Sequence, residues 1–258
     1  MAAPIPRDAP VTMAVLLLSS SDDTASTIGN DMAIRALVFD FDGLILDTEG
    51  PIYRCWAEVY EHHGQTLELG LWQTTIGTEG FDPALELERR VGRSIAWDEV
   101  HERRRRRRDE LQALESVRPG VAEWVTEALS LGLNLGIASS SERAWVLEHL
   151  ERVDLVSPFT CIRGRDDVGV AKPSPASYRS VLEHFGVSGE EALAVEDSVP
   201  GVRAAKAAGM WCVAVPSPLT RGLDFSDADV VIGSLADMGL GALLARLSPE
   251  GATLRPPS

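Results

Sequence analysis

Short apolar runs alternate with helical patterns along most of the chain, and this alternation constrains the fold more than any other feature. The runs with the length of buried strands lie at 35–40, 133–138, 159–163, 192–196, 211–215 and 229–232. Helical patterns lie at 121–131, 142–151, 175–186, 199–208 and 235–246. Strands that alternate with helices form parallel sheets covered on both faces. The sequence therefore predicts an α/β fold built on a parallel sheet.

The first two predicted strands are more than ninety residues apart, which is far too long for a simple crossover. Helical patterns such as "PIYRCWAEVYEHHG" and "DPALELERRVG" fill this stretch. We therefore expect a helical domain at 50–116, inserted into a core formed by 33–49 and 117–247. Residues 1–32, rich in Pro, Ser, Asp and Thr, are predicted to be a disordered leader, and 248–258 a tail.

Composition excludes several classes of partner. The net charge of -15 argues against binding to nucleic acid or to an anionic membrane. The three cysteines are far apart and form no CxxC motif, which favours a reducing cytoplasm. The apolar run at 11–20 is shorter than the roughly 20 residues of a membrane span, although a signal peptide is an alternative interpretation. We expect a cytoplasmic protein that is a monomer or a weak homodimer.

Polar residues collect where the predicted strands end. They are Asp40 after the first strand, Ser139 after the second, Lys172 just after the third, and Glu196 and Asp197 at the fourth. Ligands of open parallel sheets bind beyond the carboxyl ends of the strands. The sequence therefore predicts one functional site at this edge of the sheet.

The stretch "ALVFDFDGLILDTE", residues 36–49, places two carboxylates beyond a buried strand. Alternation puts Asp40 and Asp42 on the same side of an extended backbone. Like charges held this close repel each other unless a positive charge lies between them. The pattern predicts a bound cation.

Four motifs resemble those of the haloacid dehalogenase (HAD) superfamily. "DFDGLILDTE" resembles the first motif in its phosphatase form, and "IASSS" at 137–141 resembles the second. "AKPSPASY" at 171–178 and "VEDSVPGVRAAKAAGM" at 195–210 resemble the third and fourth. Their order and spacing match the β-phosphoglucomutase and phosphatase-like subgroup. The resemblance implies a Rossmann-like core with an α-helical cap domain.

The resemblance also implies roles for these residues. Asp40 would be the nucleophile that forms an aspartyl-phosphate, and Asp42 the general acid and base. Mg²⁺ would be held by Asp40, Asp197 and the backbone carbonyl of Asp42, with Glu196 in support. The implied activity is a Mg²⁺-dependent phosphatase of a small phosphomonoester, such as a sugar phosphate, phosphoglycolate or a nucleotide-like compound.

Other residues are expected to bind the substrate. Ser139, helped by backbone amides near Ser140, would bind a phosphoryl oxygen, and Lys172 would neutralise Asp40 and the phosphoryl group. The cap candidates for substrate contact are Thr75, Gly77, Thr78 and Glu79. Asp167 falls where the subgroup often has an acid near the metal.

Two alternatives stay open. Haloacid dehalogenases lack the second aspartate, so Asp42 argues against dehalogenation. β-Phosphoglucomutases carry a His five residues after the Asp of the "DT" pair, and this chain has Ile52 there, which favours a phosphatase over the first alternative, a mutase. The second alternative is a binding or regulatory protein on the same scaffold, which would be expected to lack one of the catalytic groups.

Simpler structural roles are expected elsewhere. The run "HERRRRRRDEL" predicts a solvated, ion-paired helix, although one or two of Arg103–Arg108 could reach a second charge on a substrate. Ser141 is expected only to cap the helix after the second strand, and Trp145 to lie in the core. His62 and His63 are expected at a helix C-terminus.

Overall fold

The computed structural model describes residues 34–74 and 82–247. All six predicted strands form one parallel sheet in the order β3-β2-β1-β4-β5-β6. Their bounds are β1 Ala36–Phe39, β2 Asn134–Ala138, β3 Cys161–Arg163, β4 Ala192–Glu196, β5 Trp211–Ala214 and β6 Val230–Val231. The α/β prediction is confirmed. The predicted leader and tail lie outside the described residues.

Helices follow β1 in two groups. The first group, here called the helical insertion, comprises α1 Glu49–His62, α2 Leu69–Gln73, α3 Pro83–Val91 and α4 Trp97–Leu114. The second group comprises α5 Val121–Ser130, α6 Arg143–Arg152, α7 Arg165–Val168, α8 Ala176–Phe185, α9 Val199–Ala207 and α10 Leu240–Leu247. The predicted helical stretch between the first two strands is therefore present, while the domain boundaries at 50 and 116 stay a prediction. None of the helices in the described ranges combines the length and apolar character needed to cross a membrane.

The helix predicted over 235–246 is wrong at its start. The structure has a single 3-10 turn at Leu235–Asp237, and α10 begins only at Leu240. The side chain of Ser234 accepts a hydrogen bond from the backbone N–H of Ala236 and caps the short turn. The two pieces therefore have separate caps and do not form one helix.

The sheet is buried on both faces because its apolar residues alternate in direction. In β1, Leu37 and Phe39 pack on the side that contains Trp124 of α5. Ala36 and Val38 pack on the other side, with residues of α8 and α9. All four strand residues are fully buried, and burying a large apolar side chain contributes about 1.5–3 kcal/mol. This packing fixes the carboxyl edge of the sheet.

The helical insertion has its own apolar cluster, which includes Trp56, Tyr60 and Trp72. Leu219, from the loop after β5, is part of this cluster. The side-chain amide of Gln73 also donates a hydrogen bond to the carbonyl of Leu219, at 2.8 Å. The loop after β5 therefore joins the insertion to the sheet.

Candidate active site

The predicted polar residues meet at the carboxyl edge of the sheet. Asp40 directly follows β1, and its backbone N–H donates to the carbonyl of Val195 in β4 at 2.9 Å. Ser139 directly follows β2 and is almost completely buried. Glu196 ends β4, and Asp197 follows it. Neighbouring parallel strands bring these side chains together although they are far apart in the sequence.

Three of the carboxylates form a buried cluster. Oxygens of Asp40, Glu196 and Asp197 lie within 4.8 Å of one another, and the exposed fraction of each residue is at most 6%. Burial raises the pKa of Asp40 to about 8; the charges of Glu196 and Asp42 add to this rise, and the charge of Lys172 opposes it. Burial and the charges of Asp40 and Glu196 also raise the pKa of Asp197 well above its ordinary value.

Lys172 is the cation beside this cluster. Its Nζ donates to Asp40 Oδ1 and, at 2.5 Å, to Glu196 Oε1. Burial opposes the charge of Lys172, but the two carboxylates outweigh it and raise the pKa of the amine. The hydroxyl of Tyr178, which the sequence reasoning missed, donates to Glu196 Oε1 at 2.6 Å. One ammonium therefore faces three carboxylates, and the buried cluster suits a further divalent cation.

Two glycines make room for the carboxylates. Gly43 has a φ of +82°, and a Cβ at this position would overlap the carboxylate of Asp197. A Cβ at Gly201 in α9 would overlap the carboxylate of Glu196 in the same way. Gly43 therefore has to be a glycine for two reasons, its left-handed backbone and the close approach of Asp197.

Asp42 is not a member of this cluster and accepts hydrogen bonds from four side-chain donors. Oδ1 accepts from Thr48 Oγ1 at 2.7 Å and from Trp145 Nε1 at 3.1 Å. Oδ2 accepts from Ser141 Oγ at 2.7 Å and from Ser139 Oγ at 3.3 Å. The expectation that Ser141 only caps a helix is wrong. Trp145 packs against the core as predicted, and its indole also reaches Asp42. Alternate residues after β2 put Ser139 and Ser141 on the same side, where both reach Asp42.

The remaining predicted residues have different positions. The Oγ of Ser140 accepts from the backbone N–H of Lys172 at 3.2 Å. Asp167 is exposed and accepts from the backbone N–H of Gly164 at 2.8 Å, so it caps α7 and is not part of the buried carboxylate cluster. The cap candidates Thr75, Gly77, Thr78 and Glu79 lie outside the described residues, and their role stays a prediction.

Glu49 is a further acid that the sequence reasoning did not interpret. It begins α1, and burial raises its pKa to about 7, with the charges of Asp42 and Asp47 adding to the rise. Its signal in the sequence is its place in the "DTE" that ends the first motif. The start of the insertion therefore adds an acidic group close to Asp42 and Asp47.

Comparison with known proteins agrees with this geometry. The sequence model of the family described as "Haloacid dehalogenase-like hydrolase" matches residues 37–215, which contain all four motifs. The chain belongs to the haloacid dehalogenase-like hydrolases. The resemblance that the motifs carry is thereby confirmed, and the chain is an enzyme of this hydrolase family.

Three similar proteins illustrate the match. The protein named "Putative phosphatase YhcW" of Bacillus subtilis is 44% identical over 218 residues, which cover 84% of this chain and 99% of the relative. The "Phosphorylated carbohydrates phosphatase" of Thermotoga maritima is 33% identical over 181 residues and covers 69% of this chain and 82% of its own. The crystal structure of CbbY from Rhodobacter sphaeroides in complex with phosphate has a TM-score of 0.62 and 30% identity, and covers 81% of this chain and 99% of its own.

Proposed function

We propose that this protein is a Mg²⁺-dependent phosphatase that hydrolyses a small phosphomonoester through an aspartyl-phosphate on Asp40. The observation that carries the proposal is the buried cluster of three carboxylates with Lys172 beside it. A carbohydrate phosphate is our first choice of substrate, because one similar protein is named a phosphatase of phosphorylated carbohydrates. Phosphoglycolate and nucleotide-like compounds remain within the proposed class.

The donor set fits Mg²⁺. Carboxylate oxygens are its preferred protein ligands, and Asp40, Asp197 and the backbone carbonyl of Asp42 would hold it, with Glu196 in support. Burial and, after it, repulsion between the carboxylates raise the pKa values of Asp40 and Asp197, and a bound cation would oppose both effects. When bound, Mg²⁺ neutralises charge on the phosphoryl group, so that an anionic nucleophile can approach it.

The chain's own residues would carry out the transfer. An oxygen of Asp40 attacks phosphorus as the bond to the leaving oxygen breaks, and Asp42 gives its proton to that oxygen. Asp42 then takes a proton from water, whose oxygen attacks phosphorus and releases both phosphate and Asp40. Ser139 and Lys172 would bind the phosphoryl oxygens on which charge accumulates.

A mutase needs a side chain that directs phosphoryl transfer back to the sugar instead of to water. In this chain Ile52 stands at the position of the implied histidine, half-buried against the apolar cluster of the insertion. An isoleucine can neither donate nor accept a hydrogen bond, so we favour transfer to water. A binding protein on this scaffold is also disfavoured, because Asp40, Asp42, Lys172 and Asp197 are all present.

We further propose a cytoplasmic protein, a monomer or a weak homodimer, that binds neither nucleic acid nor membranes. The net charge of -15 supports the absence of such partners. Cys55, Cys161 and Cys212 are buried as free thiols, which supports a reducing compartment.

The first test is phosphate release from a panel of metabolite monoesters, with Mg²⁺ and then with EDTA. We expect metal-dependent release concentrated on one class of compound. Asp40→Asn should lower kcat at least about a thousandfold, while Asp167→Asn, at an exposed acid outside the cluster, should retain activity. An Asp40→Asn protein with full activity would contradict the proposed mechanism. Formation of glucose 6-phosphate from β-glucose 1-phosphate would favour the mutase.

A further inference from the structure

The arginines of α4 differ in whether they have carboxylate partners. Arg106, Arg107 and Arg108 have carboxylate partners, at 3.8, 3.1 and 2.7 Å respectively. The predicted ion-paired helix is confirmed for these three residues. Among residues 34–74 and 82–247, Arg103 and Arg104 have no ion pair or hydrogen bond that would satisfy their guanidinium groups. Arg104 is held in place by stacking on the ring of Trp56, with 4.6 Å between its Cζ and the ring centroid.

These unpaired arginines line a pair of adjoining cavities on the helical insertion. One open cavity of about 290 Å³ lies between α1 and α4, with Cys55 and Val59 at its base and Arg103, Arg104 and Arg107 on one side. A second cavity, of about 220 Å³, shares His62 and Arg103 with the first and adds Arg93 and His63. We call the two cavities together the basic groove.

One residue of each cavity also has a buried polar atom with unmet hydrogen-bonding capacity. Arg104 lines the first cavity and His63 the second, and neither Arg104 Nε nor His63 Nε2 has a hydrogen-bond partner in the described part of the chain. Unpaired buried polar atoms are rare because leaving them unsatisfied costs free energy, and an ion or ligand is one common explanation. Burial and the charge of Arg108 also lower the pKa of Arg104, an effect that a bound anion would oppose.

We infer that the basic groove is a second ligand site, which binds a small polyanion carrying two phosphate-type groups, one in each cavity. Guanidinium groups are suited to bidentate recognition of phosphate, and here they converge in a chain whose net charge is -15. Two acids also face the groove. Glu58 is already paired with Arg107, and Glu99 lines only the second cavity.

The groove is separate from the proposed catalytic site, so this inference goes beyond the proposed function. Glu49, beside the catalytic loop, begins α1, whereas Cys55 and His62 lie further along the same helix. With a rise of about 1.5 Å per residue, they are about 9 and 20 Å from Glu49 along the helix axis. None of the proposed catalytic residues lines either cavity, so the ligand of the groove would be a second molecule and not the substrate.

The test is calorimetric titration of the metal-free full-length enzyme with inorganic tripolyphosphate. Arg103→Glu should weaken binding at least about tenfold, because Arg103 lines both cavities. Arg105→Glu is the matched control: it makes the same charge change two residues away, at an exposed residue that lines neither cavity. Its affinity should stay within about twofold of the wild type. Orthophosphate, with one group, should bind at least about tenfold more weakly than tripolyphosphate.

Two further variants locate the site. Arg104→Gln should weaken tripolyphosphate binding as Arg103→Glu does, with the fold checked by circular dichroism. Ser139→Ala, in the proposed catalytic site, should leave the affinity unchanged. Equal weakening by Arg103→Glu and Arg105→Glu, loss of binding in Ser139→Ala, or no binding by the wild type would each overturn the inference. Equal affinity for orthophosphate would overturn the assignment of two phosphate groups.

Discussion

Asp42 accepts hydrogen bonds from four side chains that come from two distant parts of the chain. Thr48 belongs to the same loop, whereas Ser139, Ser141 and Trp145 lie about a hundred residues further on. Four donors leave the carboxylate little rotational freedom, and a proton-transferring group must be oriented toward the atom it serves. Thr48, Ser141 and Trp145 are therefore expected to affect the rate of transfer more than the binding of substrate.

Trp145→Phe tests this expectation for the indole donor. The substitution removes one hydrogen bond to Asp42 and retains most of the ring, so kcat should fall about tenfold while KM changes little. Trp97→Phe is the matched control, because the indole of Trp97 also donates to a carboxylate, that of Glu88 at 2.9 Å in the insertion. Steady-state kinetics of both variants give the comparison. Equal effects on kcat would mean that Trp145 has no special relation to Asp42.

Gly43→Ala separates backbone strain from the close approach of Asp197. Gly43 and Gly92 both have positive φ, but only a Cβ at Gly43 would overlap another residue. Both alanine variants should lose about 1–2 kcal/mol of stability, because the left-handed backbone is strained for alanine. Only Gly43→Ala should also lose activity, by at least about tenfold, and need more Mg²⁺ for half-maximal rate. Thermal melts measure the loss of stability, and Mg²⁺ titrations of activity measure the loss of function. A fully active Gly43→Ala variant would contradict the predicted loss of function.

At the scale of elements, a side chain of α5 caps α10 on the same face of the sheet. Both side-chain oxygens of Glu127, in α5, accept hydrogen bonds from the first turn of α10, from the N–H groups of Leu240 and Gly241 at 2.8 Å each. The indole of Trp124 donates to the carbonyls of Leu235 and Met238, at 3.0 and 2.8 Å. These contacts hold the 3-10 turn and α10 as separate pieces against α5.

Glu127→Ala should therefore loosen α10 without changing the chemistry. Loss of a capping carboxylate costs about 1–2 kcal/mol, which corresponds to a fall in Tm of about 2–8 °C for a chain of this size. Activity per folded molecule should stay at the wild-type level. The control is Glu123→Ala, one turn earlier in α5 at an exposed residue. Thermal unfolding distinguishes the two, and equal melting temperatures for both variants would mean that Glu127 does not cap α10 in solution.

At the scale of the whole molecule, the carboxylate cluster couples metal binding to stability. Asp40, Glu196 and Asp197 belong to two neighbouring strand ends, so their repulsion acts only in the folded state. A cation that binds this arrangement should stabilise it by mass action. The insertion is joined to the loop after β5 through Gln73 and Leu219.

Mg²⁺ should therefore raise the melting temperature. At about 100 times the dissociation constant the stabilisation is about 2.7 kcal/mol, or about 5–10 °C for a protein of this length. Asp197→Asn should reduce the shift strongly, while the exposed Asp167→Asn should retain it. Differential scanning fluorimetry with Mg²⁺ and with EDTA measures the shift in melting temperature of both variants. An unchanged shift in Asp197→Asn would show that Mg²⁺ stabilises the protein from another place.

The sequence was most informative where local pattern and position along the chain carry the signal. The apolar runs predicted all six strands, because a strand buried on both faces has to be apolar throughout. The parallel order then required Asp40, Ser139 and Glu196 to share one edge, so their proximity followed from the strand ends. The predicted helix at 235–246 failed because its break depends on Glu127 and Trp124, over a hundred residues away.

By itself, then, the sequence determined the α/β sheet, the helical insertion and the polar edge that holds Asp40 and Lys172, since each follows from spacing along one chain. Only the tertiary structure decided that Trp145 reaches Asp42, that Leu219 joins the insertion, and that Arg103 and Arg104 line a groove instead of pairing with acids. The physical reason is distance along the chain. Contacts between side chains from separate elements depend on how those elements pack, and periodicity within one element does not specify that packing.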